Sequence, residues 1–164
     1  MSWLVLIAEV RVLQKNHAIM QPMAKFEIPN CFYRISIKAL VLNESRDKFL
    51  IVQEENGDWE LPGGGLDWGC TPQEDLSREI QEEMGIKVSK VAYYPSYFLT
   101  GQTRNKSVWL ANLLYETELE NLNFTASDEC IAVRFVNKND ISTLPVFPNV
   151  AMLAEQFDPA RHQL

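Results

Sequence analysis

Residues Gly63 to Ile86 read GGGLDWGCTPQEDLSREIQEEMGI, a glycine run, a short polar stretch and then a segment with both ends of a helix written into it. Thr71 is a good N-cap, Pro72 stands where a missing N–H costs nothing, and Glu74 three residues after Thr71 completes a capping box. Gly85 suits the left-handed position that closes a helix. A helix between these caps is therefore predicted. At about 100° per residue, Leu76, Ile80 and Met84 form an apolar stripe for a core, and Glu74, Ser77, Arg78 and Gln81 form a water-facing sector. Asp75, Glu79, Glu82 and Glu83 share the remaining arc, with no Lys or Arg among them.

Like charges at helical neighbour spacing repel by roughly a few tenths of a kcal/mol per pair, so such an arc is tolerated most readily where a cation belongs. From the helix alone, a solvated acidic face with Glu74–Arg78 and Arg78–Glu82 pairs is an equally good account. The PGGG run ahead of the helix shifts the balance. Its backbone can approach a ligand closely and bring carbonyls and N–H groups beside the carboxylates. Oxygen donors of this kind are what Mg²⁺ or Mn²⁺ select, with substrate phosphates completing the shell.

Outward from this centre, YRISIKALVLN from Tyr33 and KFLIVQEE from Lys48 are β-branched, apolar runs separated by the turn-like ESRD, which predicts two adjacent antiparallel strands. After the helix, KVSKVAYYPSYFL, SVWLANLLYET and CIAVRFVN read as strands. PNVAMLAEQF reads as a closing helix with Pro148 at its start. Strands around one central helix, with a second helix at the end, predict a mixed sheet with helices packed on it, an α/β layered domain. No repeat or Gly/Ser linker breaks the chain, so residues 1–164 are expected to be a single domain. Residues 1–30 stand apart as a candidate N-terminal extension, with a strand-like run from Trp3 to Leu13 and a Met- and Pro-containing stretch to Pro29.

The chain has 164 residues, 46% hydrophobic and 23% charged, which is enough for one domain with a sizeable core. A formal charge of -7 provides no basic footprint for a nucleic acid polymer or an anionic membrane, so a polyphosphate ligand needs a metal to mediate it. Cys31, Cys70 and Cys130 are widely spaced and odd in number, which fits reduced thiols better than a disulfide framework or a zinc site. The apolar run from Trp3 to Ala8 is far short of the roughly 20 residues that span a bilayer, and no positive charge precedes Arg11. A cytoplasmic protein without a membrane segment is expected.

The central stretch resembles the signature of the Nudix hydrolase (MutT-like) family, G-x5-E-x7-R-E-U-x-E-E-x-G-U with U aliphatic. Gly64, Arg78, Glu79, Ile80, Glu82, Glu83, Gly85 and Ile86 match at the right spacings, and WELPGG from Trp59 to Gly64 is similar to the family's usual approach to the box. The resemblance implies a Nudix-type α/β/α sandwich with a mixed sheet and a central catalytic helix. It also implies Mg²⁺- or Mn²⁺-dependent hydrolysis of a nucleoside diphosphate linked to another moiety, a small nucleotide rather than a polymer. A homodimer is left open.

Carried over by position, Glu79, Glu82 and Glu83 would bind the metal with the Gly63 carbonyl, Gly64 would lie against the substrate, and Arg78 would brace the carboxylates. The general base is either Glu82 within the box or Glu129 in SDEC, which precedes the strand CIAVRFVN; a base must first reach the water. Asn149 in VFPNV is a candidate reader of a base edge or, equally, a residue of the helix start. One position departs from the pattern: Cys70 stands where the family has a Glu that pairs with the box arginine. A thiol cannot form that ion pair, and Asp67 or Asp75 is then the substitute. The departure also keeps open a non-catalytic Nudix-like module that binds or senses a nucleotide.

Overall fold

A computed structural model describes residues 32–163 of the chain; the expectations for residues 1–30 lie outside the described residues. The elements are β1 (Tyr33–Leu40), β2 (Phe49–Gln53), β3 (Trp59–Glu60), α1 (Pro72–Met84), β4 (Val88–Val91), β5 (Tyr97–Gln102), β6 (Trp109–Leu119), β7 (Ala132–Val136) and α2 (Pro148–Gln156). Short 3₁₀ turns occupy Ile141–Thr143 and Pro159–His162. This is the expected α/β architecture with a mixed sheet and two helices.

The long strand β6 is the spine. One edge pairs with β1 in parallel, and the other pairs antiparallel with β5 and then with β4. Parallel neighbours need a crossover, and the chain between β1 and β6 contains α1. A second, antiparallel sheet runs β3–β2–β7. The run KVSKVAYYPSYFL is therefore two strands, parted around Pro95, which has no N–H for a ladder.

The expected antiparallel pairing of the first two strands holds only at their turn. Leu42 bridges Phe49 and the Leu50 N–H donates to the Val41 carbonyl at 2.8 Å, after which the strands part. Along the rest of β1 the free edge is taken by the glycine loop: Ile37 N–H donates to Gly64 O at 2.9 Å and Ala39 N–H to Pro62 O at 2.8 Å. Those ladder positions are filled by backbone that must also lie close to α1, and β2 turns away to β3 and β7.

Alternation along the strands builds two cores. Ile37, Ala39 and Val41 of β1 and its continuation pack with Leu50 and Val52 of β2 against Leu76, Ile80 and Met84 of α1. The opposite faces present Leu40, Phe49 and Ile51, with Trp59 and Leu114, to Val150, Leu153 and Ala154 of α2. Strands thus form a layer between two helices, and Trp59 is a core residue, buried like its neighbours. The C-terminal turn is tied back to β6, where Glu116 accepts from Arg46 and lies 3.1 Å from Nδ1 of the buried His162. Nε2 of that ring lies 2.9 Å from the Tyr97 hydroxyl.

Candidate active site

The caps of α1 are those expected. Thr71 and Glu74 exchange hydrogen bonds as a capping box, and Gly85 adopts φ 67°. Capping fixes where the helix begins, and the ladder on β1 fixes the loop before it, so the two meet in a defined register. Gly63 has φ 111°, and a Cβ there would lie 2.6 Å from the Ile37 carbonyl oxygen; only glycine fits. Its N–H donates to Glu83 Oε2 at 3.0 Å. A Cβ on Gly64 would collide with the carboxylate of Glu79, so the absence of a side chain is what lets that carboxylate lie against the loop.

Arg78 is the hub of the helix face. Its Nε donates to Asp75 at 3.0 Å, Nη1 to Glu82 at 2.7 Å, and Nη2 to Glu79 at 2.7 Å and Asp67 at 3.2 Å. Both substitutes for the missing box glutamate are in use. Asp75 is the more deeply placed: it is buried, and it also accepts the Asp67 N–H at 2.7 Å. These bonds, first to Asp75 and then to Glu79, hold the guanidinium above its ordinary value. Cys70 is exposed and takes no part. Glu74 is engaged by the cap and forms no pair with Arg78.

A cleft of about 500 Å³ opens beside this face. Gly63, Gly64, Glu79 and Glu83 form one wall, and Asp128 with Glu129 forms another. The turn carrying that acidic pair is pinned by Ser127, whose hydroxyl donates to the Glu83 carbonyl at 2.7 Å and accepts the Cys130 N–H at 3.1 Å. Burial is the main cause that pushes the Glu83 carboxyl up to about 7, against the nearby Lys38 and the Gly63 N–H. Lys38, also on the cleft, is the single cationic side chain lining it among the described residues. Ser127, Lys38 and Glu60 were not singled out by sequence reasoning. The signal available was a lysine inside the otherwise apolar run ISIKALVL.

Two expected residues lie elsewhere. Glu82 is on the exposed side of α1, against Arg78, and does not line the cleft. Asn149 lines a separate cavity of about 220 Å³ with Asn112, Phe147 and Met152. Its Nδ2 donates to Glu60 at 3.2 Å and its Oδ1 accepts the Val150 N–H at 2.9 Å, so it serves the helix start while facing a cavity. Asn112 is buried with its Oδ1 unpartnered. Glu60 borders both cavities.

The donor set suits a hard cation. The Gly63 carbonyl, Glu79 and Glu83 are oxygen donors of the type Mg²⁺ and Mn²⁺ take, and Gly64 leaves the space in which Glu79 meets the loop. Among the described residues no three acidic, cysteine or histidine side chains yet converge on one point, because Glu79 is turned to Arg78 and Glu83 to the Gly63 N–H.

A three-layer α/β domain whose glycine loop and acidic helix face an oxygen-rich cleft defines a class of proteins. The NUDIX domain family model matches residues 32–157, and the chain belongs to the Nudix family of hydrolases. Among similar curated proteins, a MutT-like protein of Streptomyces ambofaciens is 29% identical over 67% of this chain and 68% of its own length. A nucleoside triphosphatase of Enterobacter sp. is 27% identical over 54% of this chain and 67% of its own. An RNA pyrophosphohydrolase of Nitratiruptor sp. is 35% identical, with 40% of this chain covering 46% of that protein. The fold is similar to that of the MutT protein from Methanosarcina mazei, with a TM-score of 0.65 and 22% identity over 80% of this chain and 96% of that one. No helix among the described residues is long and apolar enough to cross a membrane.

Proposed function

We propose that this chain is a Mg²⁺- or Mn²⁺-dependent pyrophosphohydrolase acting on a nucleoside diphosphate linked to another moiety, of the nucleoside triphosphate or nucleotide sugar class. The observation that carries the reading is the meeting of Glu79, Glu83 and the Gly63 carbonyl on one acidic cleft. Relatives named as a nucleoside triphosphatase, an RNA pyrophosphohydrolase and an 8-oxo-dGTP diphosphatase have names that share hydrolysis within a phosphate chain, which supports the bond class over any one leaving group.

Glu79, Glu83 and the Gly63 carbonyl would hold the metal, with Glu82, now paired with Arg78, as a further acid. The bound ion supplies charge neutralisation on the phosphates and a more acidic water. Arg78 orients Glu79 from behind. Glu129 lies on the cleft wall, free of the ion pair that engages Glu82; its position favours it as the base that takes the proton from the attacking water. Gly64 lets the phosphate chain pass close to the backbone, and Asn149 faces the cavity in which the nucleoside end would lie. The working unit is the domain over residues 32–157, with residues 1–30 as an extension, in a cytoplasmic protein.

Phosphate and pyrophosphate release from a panel of nucleotides, with and without Mg²⁺, tests this. Metal-dependent release that is lost in Glu83→Gln and strongly reduced in Glu129→Gln supports it. Binding of nucleotides without turnover on any member of the panel would replace it with a non-catalytic nucleotide-binding module.

A further inference from the structure

Lys38 has no place in the machinery just described, yet its setting is unusual. It lies in the middle of β1 between Ile37 and Ala39, which are fully buried, and is itself 5% exposed. The ammonium donates to the Gly63 carbonyl oxygen and stands 2.8 Å from Glu60 Oε1. Taking an ammonium out of water costs several kcal/mol, and a buried ion pair exchanged for apolar residues of similar volume is often neutral or stabilising. Packing alone therefore does not call for a charged pair at this position. What the lysine does touch is the oxygen that the metal reading assigns to the ion. Glu83 meets the N–H of the same Gly63, and among the described residues every other charged side chain lining the cleft is a carboxylate.

We infer that Lys38 is the resident cation of the metal corner: without a divalent ion its ammonium occupies the Gly63 carbonyl oxygen, and it yields that oxygen, retiring toward Glu60, when the ion binds. The inference rests on the reading of this cleft as a divalent-metal site. Glu79 and Glu83 line the cleft beside the Gly63 carbonyl, and a tethered ammonium offsets their like charge at no diffusional cost. The same tether makes the protein's affinity for the ion weaker than its oxygen donors alone would set. The displaced ammonium then remains on the cleft as a basic group where phosphate oxygens enter.

The test is equilibrium binding of Mn²⁺ to the full-length protein without nucleotide, followed by the spin-resonance signal of the free ion, with melting curves alongside. Lys38→Met should bind Mn²⁺ at least about tenfold more tightly and melt lower than wild type when metal-free, with the gap narrowing at saturating Mn²⁺. Lys90→Met, which removes an exposed charge elsewhere, should bind as wild type does. The Lys38→Met/Glu60→Gln double variant removes the ion pair whole, which protects the fold and leaves the net charge unchanged. It should still bind more tightly than wild type, because the carbonyl oxygen is vacated. Unchanged or weaker binding in the double variant overturns the inference, even if the single variant gains, since that gain would then be charge alone. A wild type that binds no Mn²⁺ would sink the metal reading itself, and the inference with it; binding without an effect of Lys38 sinks the inference only.

Discussion

Arg78 and Asp75 form a buried-to-surface pair one helical turn apart: Nε donates to Oδ1 at 3.0 Å, and the aspartate is 1% exposed while the guanidinium reaches the solvent edge. The bracing that the family signature draws from a glutamate six residues after Gly64 is supplied here from inside the helix. Cys70 is thereby relieved of any such duty.

This relationship yields opposite expectations for two substitutions. Cys70→Glu should leave the hydrolytic rate within about twofold, because the guanidinium is already engaged on every side. Asp75→Asn should lower the rate by about an order of magnitude and the melting temperature by about 5 °C, since it loosens a buried, hydrogen-bonded carboxylate. Steady-state kinetics beside a thermal melt on both variants checks the pair.

Gly64→Ala should separate folding from activity. The backbone at Gly64 is not in the left-handed region, but the added methyl collides with Glu79. Far-ultraviolet circular dichroism should be unchanged, while metal-dependent turnover falls about a hundredfold as Glu79 is pushed off the loop.

Asn149→Ala should change base preference. The smaller cavity is lined by Asn149 and Asn112, and loss of an amide contact to a base edge costs about 1 to 3 kcal/mol by analogy with base readout elsewhere. Kinetics on purine and pyrimidine triphosphates should show the loss on the preferred base. A uniform loss across all bases with a lower melting temperature would assign Asn149 to the start of α2 alone.

Glu116 sets a pH dependence of stability. Burial raises its carboxyl, but hydrogen bonds from His162 and Arg46 outweigh it and leave the folded value below the ordinary 4.5. A depressed folded value means that the unfolded chain binds the proton first on acidification, so the contribution is present above the unfolded value and is lost as pH falls through the folded one. Glu116→Gln should cost about 1 kcal/mol near neutrality. The difference in melting temperature from wild type should shrink as pH falls below the ordinary carboxylate value.

What could be read from the sequence was whatever is decided by neighbours along the chain. Thr71, Pro72, Glu74 and Gly85 specify their helix within a span of fifteen residues, and Leu76, Ile80 and Met84 announce its buried side by period alone. Strand pairing is a competition for edges. Nothing local in β1 says that the loop around Gly63 takes the edge that β2 would otherwise fill, because both contenders follow it in the chain and the winner depends on how α1 packs. The site divides along the same line. Glu79 and Glu83 were legible from spacing, whereas the different settings of Glu79 and Glu82 depend on the bare backbone of Gly64, which admits Glu79, and on the exposed side of α1, where Glu82 pairs with Arg78. Lys38 acquires its meaning from a carbonyl 25 residues away, and Ser127 from one 44 residues away.

Glu60 Oε1 accepts from Lys38 at 2.8 Å and lies 3.2 Å from Asn149 Nδ2, so one carboxylate oxygen is shared by two cavities that Glu60 lines. That oxygen holds both bonds at once, so an occupant of either cavity that alters one bond alters the setting of the other. Two sites joined through a common acceptor are thermodynamically linked, and the factor by which one ligand alters the other's affinity is the same in both directions. If a divalent ion displaces Lys38 from the Gly63 carbonyl and a nucleoside seats beside Asn149, as proposed, each should change the affinity for the other by an equal ratio. The thermodynamic cycle of ion and nucleoside binding would close with a coupling that vanishes in Glu60→Gln.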